Sequence, residues 1–232
     1  MNPKQRAAEA ALDEIRDGMI VGLGSGSTAE CFIEALGAAI KAKRFRHIRG
    51  VASSVKSEDL ARRLGIVVIS LAEAKEIDVT IDGADEFDPK LNLIKGLGGA
   101  LLREKIVAQD SKRLVIIADS SKRVEELGTK SPLPVEVVKF AAESHDLFFR
   151  ALGSEPSLRR DKSGELYVTD NGNYIYDCRF TAIDQPAALE ASLRKRAGVV
   201  ESGLFVGLAK LALVADSNRV ERIEAKGAAK TI

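Results

Sequence analysis

The chain has 232 residues, of which 45% are apolar and 30% are charged, and its formal net charge is +1. This length and apolar content are sufficient for one large domain, or for one domain and a smaller one, with a proper core. A nearly neutral chain lacks the overall positive field that would hold nucleic acid or an anionic membrane surface. Composition therefore favours a small-molecule partner.

The two cysteines, Cys31 and Cys178, are spaced neither as metal ligands nor as a redox pair. A chain without a disulfide framework is typical of a reducing compartment. The first residues lack the apolar middle of a signal peptide. The longest nearly apolar run, residues 203–215, is broken by Lys210 and is shorter than the ~20 residues of a membrane span. We therefore expect a cytoplasmic protein without a membrane segment.

The first half of the chain predicts alternating helices and strands. Asn2 as a cap and Pro3 at the first helical position open a helix that ends at Gly18. Short apolar runs then alternate with segments of helical spacing. The predicted strands are 19–23, 48–52, 66–69, 77–81 and 114–118, and the predicted helices include 28–42 and 54–64. This alternation indicates an α/β fold with a parallel sheet and helices on both faces.

The pattern changes near residues 132–134, Pro-Leu-Pro, where we place a domain boundary. The elements predicted beyond it are a strand at 135–140, a helix at 141–152, three short strands within 157–179, a helix at 186–196, and strands at 211–214 and 220–223. The last two strands are expected to rejoin the first sheet. We therefore expect one domain of residues 1–131 and 204–232, with an α+β domain inserted at residues 132–203.

The glycine-rich segment from Gly22 to Thr28 lies between the first predicted strand and its helix. There the backbone N–H groups and the helix dipole favour an anion, and the hydroxyls of Ser25, Ser27 and Thr28 add donors. The spacing fits neither a dinucleotide fingerprint nor a P-loop. The segment predicts a site for a single phosphate group, with a tight turn and helix cap as the alternative.

The most informative stretch is Asp82-Gly83-Ala84-Asp85, then Lys95-Gly96-Leu97-Gly98-Gly99, and then Glu104. The acidic pair follows a predicted strand at its carboxyl end, where open α/β sheets bind ligands. The glycines let the backbone fold tightly around a ligand. Three carboxylates and an ammonium are the groups that a proton-shuttling sugar isomerase needs. A solvated acidic loop and a metal cluster are the alternatives, although the spacing is not that of a calcium loop.

The other candidate residues give weaker signals. Lys122 follows another predicted strand and is a candidate for a phosphate contact, with a surface turn as the alternative. Residues 53–57 are interpreted as the start of a helix. His47 and His145 are each isolated, and we expect them to be structural or solvated.

These motifs together resemble the A type of the ribose-5-phosphate isomerases. The matching segments are Gly22 to Ala29, Ser53 to Ala61, Asp78 to Ala108, Ala118 to Lys122, Pro132 to Val137 and Thr169 to Asp177. The likeness therefore runs through nearly the whole chain. Leu97 departs from it, because many relatives have glycine there.

The resemblance implies an aldose–ketose isomerase of the pentose phosphate pathway, which interconverts ribose 5-phosphate and ribulose 5-phosphate without a metal or an organic cofactor. It implies a Rossmann-like domain bearing a smaller α+β (ferredoxin-like) domain that helps subunits associate, as a homodimer or homotetramer. It assigns Glu104 as the general base and Asp82, Asp85 and Lys95 as sugar-handling groups. The implied substrate-binding residues are Lys4, Gly24, Ser25, Gly26, Ser27, Thr28, Gly83, Ala84, Gly96, Leu97, Gly98 and Lys122.

Two other functions stay open at this point. A sugar-phosphate-sensing regulatory domain can share the fold without catalysis, although it does not need Asp82, Lys95 and Glu104 together. A nicotinamide-dependent oxidoreductase is disfavoured by the glycine spacing. In the isomerase hypothesis, Glu104 moves a proton between adjacent carbons while Lys95 stabilises the cis-enediolate.

Overall fold

The computed structural model describes residues 2–225, whose contacts divide them into two compact units. The first unit comprises residues 2–84, 103–122 and 207–225, and the second comprises residues 85–102 and 123–206. The helices are α1 (Pro3–Ala11), α2 (Ser27–Lys41), α3 (Val55–Arg63), α4 (Leu71–Ala74), α5 (Leu101–Gln109), α6 (Asp146–Ala151) and α7 (Pro186–Arg194). Short 3-10 helices lie at Leu12–Glu14, Ser120–Lys122 and Ala142–His145.

The fourteen described strands have two to seven residues each. They are β1 (Ile20–Leu23), β2 (Arg49–Ala52), β3 (Val67–Val68), β4 (Val79–Asp82), β5 (Glu86–Phe87), β6 (Leu93–Ile94), β7 (Leu114–Asp119), β8 (Leu133–Val137), β9 (Glu155–Leu158), β10 (Tyr174–Arg179), β11 (Val199–Ser202), β12 (Leu204–Phe205), β13 (Ala209–Ala215) and β14 (Val220–Glu224).

The first unit is built on a seven-stranded sheet in the order β14-β13-β7-β4-β1-β2-β3. The strands from β13 to β3 are parallel to their neighbours, and β14 pairs antiparallel with β13. Val21 and Leu23 pack into one buried cluster with residues of α1, α2 and α3, whereas Ile20 packs into another with Val107 of α5. Because both faces of β1 are covered, its sequence is an unbroken apolar run. The predicted parallel sheet flanked by helices is confirmed.

Helix α1 begins where its sequence signals predict. The Asn2 side chain accepts a hydrogen bond from the Gln5 amide at 2.9 Å, and the Gln5 side chain accepts one from the Asn2 amide at 3.1 Å. This reciprocal cap satisfies two amides at the helix start that have no partner within the helix. Ala7, Ala8 and Ala11 are buried in the core, which fixes the helix against the sheet.

The second unit contains a four-stranded antiparallel sheet in the order β11-β8-β10-β9. One face of that sheet is apolar: Val135, Val137, Tyr176 and Cys178 pack in one cluster with Phe149 of α6. Burial raises the pKa of Cys178 to about 12, so this thiol stays protonated in the core. Because side chains alternate along a strand, the residues between them face the other way.

Two predicted elements of the second unit differ from the structure, and one sheet was not predicted. The middle strand expected within 157–179 is reduced to an isolated bridge between Arg160 and Leu166. The helix expected over 141–152 is a 3-10 turn followed by α6. A three-stranded sheet in the order β12-β6-β5 was not predicted, because strands of two residues are too short to show periodicity.

The two units divide the chain elsewhere than at residues 132 and 203, because residues 85–102 and 123–131 group with the second unit. The domain division, with 132–203 as the inserted domain, stays a prediction. Residue 1 and residues 226–232 of the predicted first domain lie outside the described residues. Among the described helices, none is both long and apolar enough to cross a bilayer.

Candidate active site

The glycine-rich segment passes very close to β4. Gly22 lies opposite Thr80 in the β1–β4 pairing, and a Cβ on Gly24 would lie 2.6 Å from the Cα of Asp82. Real Cβ atoms are essentially never found that close to another backbone atom. The two glycines are therefore required by the close approach of β1 to β4.

Asp82 ends β4 and is completely buried. Its Oδ1 accepts hydrogen bonds from the Ser25 amide at 3.0 Å and from the Gly83 amide at 2.7 Å. Hydrogen bonds to an ionised carboxylate are roughly twice as strong as neutral ones. This carboxylate therefore holds the turn after β1 and the turn after β4 in one arrangement.

Helix α2 begins directly after this turn, with Gly26 as its N-cap at φ +87°. A positive φ is readily adopted by glycine, which explains this residue at the cap. The amides of the first turn of α2 face the end of the helix where anions bind. From α1, Lys4 Nζ donates to Ser27 Oγ at 2.8 Å, so an ammonium lies beside this helix start.

Two buried serines, Ser53 and Ser57, hold this turn, and the sequence analysis did not identify either of them as doing so. Ser54 caps α3, as the interpretation of residues 53–57 as a helix start requires. Ser53 Oγ donates to the Leu23 carbonyl at 3.1 Å and lies 2.8 Å from Ser25 Oγ, and Ser57 Oγ donates to the Gly24 carbonyl at 2.7 Å. Hydroxyl contacts between residues 28 to 33 positions apart leave no periodic signal in the sequence.

Glu104 lies in the first turn of α5 and is 4% exposed. The next residue, Lys105, is 1% exposed. Charged side chains are almost never so deeply buried unless they are paired. In the same unit, Lys122 closes the 3-10 turn after β7 and is half-buried. The burial of Glu104 does not fit a solvated helix surface.

In the second unit, Lys95 follows β6 and is 2% exposed. Its Nζ lies 5.5 Å from the centre of the Phe205 ring, and its amide donates to the Gly203 carbonyl at 2.9 Å. Asp85 Oδ2 accepts from the Leu97 amide at 2.9 Å. A buried ammonium over an aromatic ring and a carboxylate that accepts a backbone hydrogen bond are features of a candidate binding site.

Two side chains that the sequence analysis did not select contact the loop of residues 95–99. Arg159 donates to the carbonyls of Gly96 and Leu97, and the Tyr167 hydroxyl lies 3.5 Å from the Gly98 carbonyl. Burial raises the pKa of Tyr167, so its hydroxyl is neutral at physiological pH. Both residues lie 62 to 69 positions along the chain from the loop residues that they contact, so no local pattern connects them to it.

Within each unit, some of the predicted site residues are therefore in contact with one another. In the first unit, Ser25 and Gly83 contact Asp82, and Lys4 contacts Ser27. In the second unit, Asp85 contacts Leu97. No group of three or more His, Cys, Asp or Glu side chains within residues 2–225 is arranged as a metal site. The catalytic and binding roles of the predicted residues stay predictions.

Comparison with known proteins gives one consistent result. The family described as ribose 5-phosphate isomerase A (phosphoriboisomerase A) matches residues 49–219. The chain is 48% identical, over 98% of its own length and 97% of the relative's, to ribose-5-phosphate isomerase A of Roseiflexus castenholzii. It is 49% identical to the Gloeobacter violaceus protein of the same name, with 94% of each chain covered.

Solved structures agree with the sequence relatives. A D-ribose-5-phosphate isomerase in complex with phospho-erythronic acid matches with a TM-score of 0.94 and 38% identity, covering 97% of this chain and 100% of that one. The ribose 5-phosphate isomerase A of Methanocaldococcus jannaschii matches with a TM-score of 0.90 and 36% identity, covering 95% of this chain and 97% of that one.

The close approach of Gly24 to Asp82 can be tested by substitution. We expect Gly24→Ala to lower the free energy of unfolding by about 1–3 kcal/mol, because the added methyl group overpacks the contact with β4. Gly83→Ala is the matched control, since a Cβ there would meet its nearest atoms at 3.8 Å, an ordinary contact. Urea unfolding of both variants checks this. Equal stability of the two would contradict the packing argument.

Proposed function

The chain belongs to the ribose 5-phosphate isomerase A family, and we propose that it interconverts D-ribose 5-phosphate and D-ribulose 5-phosphate. The observation that carries the proposal is 48% identity over 98% of the chain to a relative of that name. The motifs from Gly24 to Thr28, from Asp82 to Asp85 and from Lys95 to Gly98 lie within the length covered by that match. Relatives of nearly the same length bear the isomerase name, and nothing favours a regulatory domain without catalysis.

The phosphate end of the substrate is assigned to the start of α2. The amides of Gly26, Ser27 and Thr28 and the hydroxyls of the last two supply donors, and the helix dipole adds partial positive charge. Lys4, 2.8 Å from Ser27 Oγ, supplies an ammonium, and Lys122 is proposed as a second one. Fixing the phosphate would align the distant carbonyl end and lower the entropic part of the barrier.

Ser25 has less to offer an anion than its neighbours. Its amide is engaged with Asp82. The Ser53 hydroxyl donates its single hydrogen to the Leu23 carbonyl. Its contact with Ser25 Oγ is therefore a hydrogen bond only if Ser25 is the donor. The amide and the hydroxyl hydrogens of Ser25 are then both donated within the unit, to Asp82 and to Ser53. Its proposed place in the binding set is therefore to shape the turn, together with Gly24.

The proton transfer is assigned to Glu104. Isomerisation removes a weakly acidic proton from the carbon next to a carbonyl and returns it to the adjacent carbon. A single carboxylate performs both steps if the sugar does not move between them. The burial of Glu104 limits competition from water for the proton.

The remaining groups handle the charge and the hydroxyl protons. A cis-enediolate carries negative charge on oxygen, and we assign its stabilisation to the Lys95 ammonium, an effect of roughly 10²–10³-fold for one well-placed donor. Asp82 and Asp85 are assigned to hydroxyl protons during ring opening and exchange. Gly83, Ala84, Gly96, Leu97 and Gly98 are assigned to the walls of the sugar site.

The proposal includes no metal and no organic cofactor, because carboxylates and an ammonium supply every proton and charge in this scheme. It also includes a cytoplasmic location and a homodimer or homotetramer, which the comparisons do not address. The absence of nucleic acid and membrane partners rests on the nearly neutral charge of the chain.

Glu104→Gln tests the proton shuttle. We expect this variant of the EDTA-treated protein to lose at least about 10²-fold in kcat, the scale of general base catalysis, because an amide cannot accept the proton. Glu9→Gln, an exposed carboxylate of the same unit, is the matched control. Ketose formation from ribose 5-phosphate is the measurement. Near-normal turnover by Glu104→Gln would remove Glu104 from the mechanism.

Ser27→Ala and Ser25→Ala test the phosphate assignment as a pair. Loss of the Ser27 hydroxyl should raise KM for ribose 5-phosphate by about 10-fold or more, the scale of one hydrogen bond to a charged group, with a smaller change in kcat. Ser25→Ala should change KM by less than about 3-fold, because its amide remains and its hydroxyl faces inward. Inhibition by inorganic phosphate should follow the same order. Equal effects of the two substitutions would contradict this division of roles.

A further inference from the structure

We propose that Arg159 is a positioning residue for the loop of residues 95–99, acting on the reaction through the backbone of Gly96 and Leu97. The inference deepens the proposed function and rests on its assignment of Lys95, Asp85 and the glycines of this loop. All of the contacts that carry it lie within the second unit.

The position of Arg159 follows from the strand pairing. It comes directly after β9, and its amide continues the ladder by donating to the Ile175 carbonyl at 2.8 Å. Ser157 pairs with Asp177 of β10, so Arg159 and Asp177 are diagonal neighbours on one face of the sheet. Tyr176 and Cys178 point to the other face, into the apolar core. Diagonal neighbours are within reach of a long side chain.

The guanidinium divides its donors between two partners. Nε and Nη2 donate to Oδ2 and Oδ1 of Asp177 at 2.9 and 2.5 Å, and Nη1 donates to the carbonyls of Gly96 and Leu97 at 3.0 and 3.1 Å. Asp177 therefore fixes the plane of the guanidinium, and the free edge of that plane is directed at the loop. Lysine cannot reproduce this fork, since its ammonium is a point charge.

The same contacts determine the orientation of two peptide groups. The Gly96 carbonyl is held by Arg159 while the Leu97 amide donates to Asp85 Oδ2 at 2.9 Å. One planar peptide is thus clamped between a cation and a carboxylate, and rotating it would break both bonds. The second clamped carbonyl, that of Leu97, likewise fixes the direction of the Gly98 N–H across the next peptide.

This loop needs an external constraint because of its glycines. Gly96 and Gly99 have φ of +102° and +87°, and glycine adopts many other conformations at low cost. The Arg159 side chain is 11% exposed and that of Asp177 is 22% exposed, so water competes little for their bonds. A bidentate pair of this kind is stronger and better oriented than a surface ion pair. Loss of the guanidinium should therefore leave the loop folded but poorly aligned.

The experiment compares Arg159→Ala and Arg159→Lys with Arg160→Ala, the exposed neighbour whose guanidinium donates to the Gly164 carbonyl. We expect Arg159→Ala to lower kcat by about 10²-fold, the cost of a misplacement of about 1 Å, with KM changed much less. Arg159→Lys should stay at least about 10-fold below the wild type, and Arg160→Ala within about twofold of it. Millimolar guanidinium chloride should restore part of kcat to Arg159→Ala, and circular dichroism should show that the variants are folded.

Kinetics of Arg159→Ala that match those of Arg160→Ala would overturn the inference, as would a fall in kcat that guanidinium leaves unchanged. If Arg159→Ala fails to fold, Arg159→Lys decides: wild-type kcat in that variant overturns the inference, and a loss of about 10-fold or more supports it. Lys95→Met, measured in parallel, reports on the proposed function alone. Full activity of Lys95→Met contradicts the role of Lys95, whereas normal Arg159 variants beside an inactive Lys95→Met contradict only the positioning role.

Discussion

The carboxylate of Asp82 is the constraint on which the candidate-site residues of the first unit depend. Because Asp82 accepts hydrogen bonds from the amides of Ser25 and Gly83, it holds the turns that follow β1 and β4 in contact. The approach is close enough to exclude any side chain at Gly24. The start of α2, with its first-turn amides and the hydroxyls of Ser27 and Thr28, is positioned by that turn. A buried carboxylate thus holds the turn beside a helix start that is suited to an anion.

The second unit uses the same device with the opposite charge added. Asp85 holds the Leu97 amide, and Arg159 holds the carbonyl on the other side of that peptide. In both units, glycine-rich backbone is held by charged side chains that lie at or next to strand ends. The glycines allow the backbone to pass close to its neighbours, and the charged side chains hold that backbone in one conformation.

Most of the fold could be predicted from the sequence, because its signals are local. Asn2 and Pro3 mark the start of α1, and the unbroken apolar run of β1 marks a strand covered on both faces. The strands β5, β6 and β12 have two residues each, too few for a period to appear. The motif residues of the site could be selected from their types and spacing, but the residues that hold them could not. Arg159 contacts a carbonyl 63 positions away, and Ser57 one that is 33 positions away. Such contacts follow from the register of the strands, which one sequence does not reveal.

The binding of inorganic phosphate to Asp82 variants, measured by calorimetry, tests the central claim most directly. Asp82→Asn removes the charge but keeps an acceptor oxygen for the two amides, whereas Asp82→Ala removes both. If the hydrogen bonds accepted by residue 82 order the turn, the alanine variant should bind phosphate about 10-fold more weakly than the asparagine variant, the scale of two lost hydrogen bonds to a neutral acceptor. Asparagine should bind at least as tightly as the wild type, since a negative charge near the anion is gone. Equal or tighter binding by the alanine variant would contradict the account.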